Sequence, residues 1–95
     1  MFDNLKKMMD LQKKLEVIKK ELSSMKIEHT KSGFSVIITG EQIIEKINLV
    51  DNFSSLKKEE LEKIIKDLIN EAIAKSQKTA ADKMKNMAGL NIPGL

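Results

Sequence analysis

The chain has 95 residues, a net charge of +3 and no cysteine, which describes one small domain and excludes disulfides and thiolate metal sites. No apolar run approaches the ~20 residues needed to cross a bilayer. Met1-Phe2-Asp3-Asn4 is acidic and polar where a signal peptide would be basic and then apolar, so we expect a cytoplasmic protein with no membrane partner.

All the cationic side chains are lysines; arginine, tyrosine and tryptophan are absent. Lysine meets phosphate as a point charge, whereas arginine is the usual bidentate reader of guanine. Any nucleic-acid contact should therefore favour the backbone over the bases, without an aromatic platform for single strands. An all-lysine composition is equally what an AT-rich genome would produce.

The first helix is expected from Asp3 to Met25. Met8, Leu11, Leu15, Ile18, Leu22 and Met25 alternate spacings of three and four, which is a heptad seam. Lys6, Lys13 and Lys20 recur every seven residues on the opposite face, and Lys7, Lys14 and Lys19 widen that stripe. Asp10, Glu16 and Glu21 interrupt it. An ordinary solvated face is the plainer reading of any one of these lysines.

Two strands should follow, Lys26 to Lys31 and Phe34 to Thr39, joined by a tight turn at Ser32-Gly33. Phe34, Val36 and Ile38 share one face. After Gly40 a third strand is expected from Ile43 to Val50, with Ile47 and Leu49 inward and Lys46 and Asn48 outward. The result is a three-stranded antiparallel meander.

Asp51 to Ser55 connects to the last helix, which Ser54 or Ser55 should cap. Leu61, Ile64, Ile65, Leu68, Ile69, Ala72 and Ile73 give a broad apolar face. The face then fades while Lys75, Lys78, Lys83 and Lys85 accumulate against Asp82 alone. Glu59–Lys63 and Glu62–Lys66 are spaced as helical ion pairs. Gly89 should end the helix, dividing a single domain (1–88) from a C-terminal tail (89–95). Helices this long overhang a sheet of six-residue strands, so their seams call for a second copy of the chain. Met8, Leu11, Leu15, Ile18, Leu22, Ile65, Leu68, Ile69 and Ala72 are the candidate dimer packing.

Several segments resemble the YbaB/EbfC family of bacterial nucleoid-associated proteins. They are the opening Met1-Phe2-Asp3-Asn4-Leu5-Lys6-Lys7-Met8-Met9, the run Val36-Ile37-Ile38-Thr39-Gly40 leading into Glu45-Lys46-Ile47-Asn48-Leu49, and Asn70-Glu71-Ala72 with Lys75 and Lys83-Met84. The likeness covers nearly the whole chain, although no single motif is distinctive. It implies an α+β fold, an α-β-β-β-α subunit with a three-stranded antiparallel sheet and two long helices. The subunits would form a tight homodimer with the helices between two sheets and helical ends projecting. It also implies binding of double-stranded DNA with low or variable sequence preference, altered DNA conformation, and a role in nucleoid organisation and gene regulation. The chain departs from the family in a short connection between the first two strands and in lacking a long glycine- and methionine-rich tail.

Candidate DNA-binding residues are Lys6, Lys7, Lys13, Lys14, Lys20, Lys75, Lys78, Lys83 and Lys85. His29 is the only histidine, and adjacent Glu28 points to the opposite face, so neither a catalytic pair nor a ligand cluster forms. No enzyme activity, cofactor, metal site or small-molecule substrate is expected. The competing expectation is a helical protein-binding scaffold or a prefoldin-like holdase. A lysine stripe and polar helix ends suit apolar clients poorly.

Overall fold

A computed structural model describes the backbone of residues 2–91 and the side chains of residues 3–87. The elements are α1 (Phe2–Ser24), β1 (Ile27–Lys31), β2 (Phe34–Ile38), β3 (Ile44–Asn48), a short 3-10 turn (Phe53–Ser55) and α2 (Lys58–Asn91). They give the expected α-β-β-β-α order and an α+β fold. The sheet is an antiparallel meander in the order β1-β2-β3.

The β1–β2 turn has positive φ at both Ser32 (52°) and Gly33 (86°), the combination whose twist matches a two-residue hairpin. Register pairs Ile27 with Ile38, His29 with Val36 and Lys31 with Phe34. A bulge falls between Ile37 and Ile38, where Lys46 and Ile44 are the successive partners. Glu45 is the extra residue, and it meets Lys26 in an ion pair across the sheet.

Phe34, Val36 and Ile38 are buried, as their alternation predicts, and pack with Ile27, Leu68 and Ala72. Each fully buried large side chain here contributes about 1.5–3 kcal/mol. The helix α2 lies across β1 and β2. Ile47 shares its sheet face with Val36, yet stays 44% exposed, with Leu49 at 45%. Ile47 thus faces the expected way but is not covered, and Leu49 lies beyond the end of β3.

Three expectations are corrected. Ser54 and Ser55 do not cap α2: they lie in the 3-10 turn, where the Ser55 hydroxyl donates to Asn52 O at 2.7 Å. Leu56 is extended, and α2 begins at Lys58 with Glu59 and Glu60 against its positive end. Lys63 pairs with Asp67 at 2.8 Å and not with Glu59. The helix also runs through Gly89 to Asn91, since one glycine costs only about 1 kcal/mol relative to alanine. The remainder of the expected tail, residues 92–95, lies outside the described residues.

An ionic contact joins the edge strand β1 to α2. His29 Nε2 donates to Glu71 Oε1 at 2.9 Å, and Lys31 Nζ donates to Glu71 Oε2 at 2.6 Å. Lys31 and then His29 hold the Glu71 carboxyl below its ordinary value of 4.5, and Lys31 is correspondingly raised. A carboxylate depressed in the folded state stabilises fully above its unfolded value, and that contribution is lost as pH falls through the folded value. Asp67, lowered by Lys63, acts in the same direction. Glu71→Gln is therefore expected to flatten, without abolishing, the fall of the melting temperature below about pH 4.5; melts that decline as steeply as wild type would reject the clamp. Leu68→Ala, at the centre of the core, should cost about 2–5 kcal/mol in urea unfolding, and a loss under 1 kcal/mol would contradict the packing described.

Candidate nucleic-acid interface

The two helices meet at one end of the subunit and run in opposite senses. Ser76 of α2 lies beneath Thr39, and the next residue, Gly40, donates its N–H to Leu22 O near the end of α1. One residue earlier in α1, Glu21 faces Lys83, 3.6 Å away and further along α2. Followed backward, α1 thus travels toward the C-terminal end of α2. From that crossing α1 runs back about 30 Å to Phe2, beside the roughly 22 Å of α2 that remain to Asn91, along a molecule of 66 × 18 × 17 Å. The outcome is an arm, remote from the sheet.

On this arm α1 has no buried side chain among its described residues. Lys14, Ile18 and Leu22, one i,i+4 row, are half-buried. Met8 (66%), Leu11 (53%) and Leu15 (54%) leave the seam exposed. Leu5, Met9 and Val17 are exposed apolar residues outside that seam.

Of the nine candidate lysines, Lys6, Lys7, Lys13, Lys20, Lys78 and Lys85 are exposed and directed to solvent. Lys14 belongs to the half-buried row. Lys75 is engaged within the subunit, donating to Glu28 O at 2.8 Å. Lys83 is half-buried beside Glu21. The arm therefore carries two lysine sets, from α1 and from the second half of α2, with the exposed members separated from the apolar seam. Such a surface raises the local positive potential without offering a group that reads base edges.

The candidate dimer residues divide differently from the expectation. Leu68 and Ala72 are fully buried in the subunit's own core, which leaves them no surface for a partner. Ile65 and Ile69 are half-buried on the flank of α2. Asn70 is exposed beside them. Elsewhere, Ile47, Leu49 and the seam residues Met8, Leu11 and Leu15 are exposed apolar side chains.

Among the described residues, no group of three or more His, Cys, Asp or Glu side chains could hold a metal ion, and no helix is long and apolar enough to cross a membrane. Sequence reasoning missed the Glu71 partner of His29, 42 positions away, and the buried hydroxyl of Ser76. A serine at the i,i+4 position after Leu68 and Ala72 was the available signal for the latter.

A family model described as the YbaB/EbfC DNA-binding family matches residues 1–90. A nucleoid-associated protein of Prochlorococcus marinus subsp. pastoris is 34% identical over 95 residues, spanning 95% of this chain and 82% of that relative. A nucleoid-associated protein of Bartonella bacilliformis is 35% identical over 96 residues, spanning 94% and 86%. One from Hahella chejuensis is 28% identical over 96 residues, spanning 98% and 89%.

Proposed function

The chain belongs to the YbaB/EbfC DNA-binding family, and on that premise we propose that it binds duplex DNA as a homodimer through lysine–phosphate contacts. Sequence preference is low or variable, and binding alters the conformation of the duplex. The relatives carry the name nucleoid-associated protein, and nucleoid organisation with effects on gene expression is the corresponding role here.

The observation that carries this reading is the arm. Six exposed lysines from two antiparallel helices project away from the sheet, with no arginine or aromatic pair to read bases. Phosphate contacts of this kind position a protein on DNA without specifying sequence. Two-fold symmetry would supply a second arm to the same duplex.

Dimerisation is supported by the apolar surface that one subunit leaves uncovered. Met8, Leu11 and Leu15 are each more than half exposed, and Ile47 on β3 and Leu49 beyond its end are exposed as well. Exposed apolar side chains in this number on a 95-residue chain favour an interface. The seam's Ile18 and Leu22, with Ile65 and Ile69 of α2, extend the dimer packing we propose.

Two outcomes are expected. Each lysine–phosphate contact contributes about 0.9 to the slope of log affinity against log salt, so six on one arm would give roughly −5. Lys13→Glu with Lys20→Glu should lower that slope by about 2 and weaken unrelated duplexes alike. Binding that hardly changes with salt, or a double variant that merely shifts sequence preference, would refute the phosphate reading. In sedimentation, wild type should run as a dimer and Leu11→Glu with Leu15→Glu as a folded monomer; a wild-type monomer at micromolar concentration rules the dimer out.

A further inference from the structure

Lysines on two helices can meet one duplex together only while the angle between those helices is held. The structure concentrates that hold in a single loop. On α2, Ser76 is fully buried, and its hydroxyl donates to Thr39 O at 2.6 Å. From the loop, Gln42 Nε2 donates to Gly40 O at 2.9 Å and to Ser76 Oγ at 3.3 Å. Thr39 Oγ1 accepts from the N–H groups of Glu41 and Ile43, both at 3.2 Å.

The same loop grips α1. Gly40 N–H donates to Leu22 O at 2.9 Å, a carbonyl near the C-terminal end of the helix that also accepts from Met25 N–H at 3.3 Å. A Cβ at position 40 would stand 2.8 Å from Leu22 O and 3.1 Å from Met25 Sδ. Only glycine permits this approach.

Gln42 adopts φ of 61°, a left-handed conformation that glycine accepts without strain and other residues resist. Glutamine nonetheless stands there, with its amide spent on two acceptors that bridge the loop to α2. Ser76 likewise occupies a fully buried position on α2 where an apolar side chain would pack. Outside the loop, α1 is held by its half-buried row and the Glu21–Lys83 pair. We propose that Gly40, Gln42 and Ser76 are positioning residues for DNA binding: their bridge from Leu22 of α1 to α2 sets the angle at which the arm presents its lysines.

This proposal rests on the phosphate-binding reading above, and the number of phosphates met at once separates the two. Affinity for a random-sequence duplex is measured at several salt concentrations for the full-length wild type, Gln42→Gly and Gly40→Ala, beside circular dichroism and sedimentation. Gln42→Gly relaxes the backbone and removes the amide's bonds to Gly40 O and Ser76 Oγ, weakening the bridge while leaving the Ser76–Thr39 bond, so helix content and mass should match wild type. Its salt slope should fall in magnitude by about 0.9 or more, the equivalent of at least one phosphate contact. Gly40→Ala, which must push Leu22 aside, should lose at least as much; where it fails to fold, Gln42→Gly decides alone. A variant with weakened binding and an unchanged slope has merely fewer competent molecules, and that result overturns the positioning role, as does wild-type behaviour throughout. If wild type itself shows no salt-dependent duplex binding, the functional reading falls and the positioning role with it.

Discussion

A mismatch of lengths governs this molecule. The helix α2 is about 50 Å long, while strands of five residues make a sheet less than about 20 Å along the strand direction. Only the stretch of α2 around Leu68, Ala72 and Ser76 can be paid in buried area by β1 and β2. The remainder must find another covering or be polar enough to stand in water. Its second half takes the latter course, with Lys78 and Lys85 exposed and α1 alongside.

The same constraint explains how a modest net charge of +3 is compatible with a cationic surface. Acids are not excluded; they are distributed. Glu71 is occupied by His29 and Lys31, Asp67 by Lys63, and Glu45 by Lys26, all on or beside the sheet-covering part of the fold. Toward the end of α2, lysines outnumber acids. Along α1, six lysines stand against Asp3, Asp10, Glu16 and Glu21, so the projecting part keeps a positive excess without being free of acids. Steering of a polyanion depends on that local field more than on the total.

Much of the architecture was legible because it is written in short-range pattern. The expected span from Asp3 to Met25 matches α1 within one residue at each end, although its three–four spacing starts only at Met8, and Ser32-Gly33 marks the hairpin through backbone chemistry that few other pairs offer. The buried face of β2 follows from alternation at Phe34, Val36 and Ile38. What stayed hidden depends on partners distant in the chain. The bulge at Glu45 is a property of two strands together. Nothing near His29 points to Glu71. An apolar stripe from Leu61 to Ile73 does not declare which members meet the chain's own sheet, and Leu68 and Ala72, which the pattern offers as dimer packing, are buried in the chain's own core. Gly40 could be read as punctuation, but not as the point where one helix end approaches another backbone. The lysines of the arm were visible individually; that Lys75 and Lys83 are engaged, while their neighbours are not, required the three-dimensional arrangement.

The meander also has a bearing on how the chain acquires its shape. Each strand bonds to its immediate successor across a short connection, so the sheet can assemble from local loop closures, the fast kind. The first helix has no such advantage. During synthesis from the N-terminus it emerges ahead of the glycine and the second helix that receive it, and its oily ridge must wait in solvent for some sixty further residues to appear, at roughly 5–20 per second. Hydrophilic side chains around that ridge protect the nascent segment from premature association over those seconds.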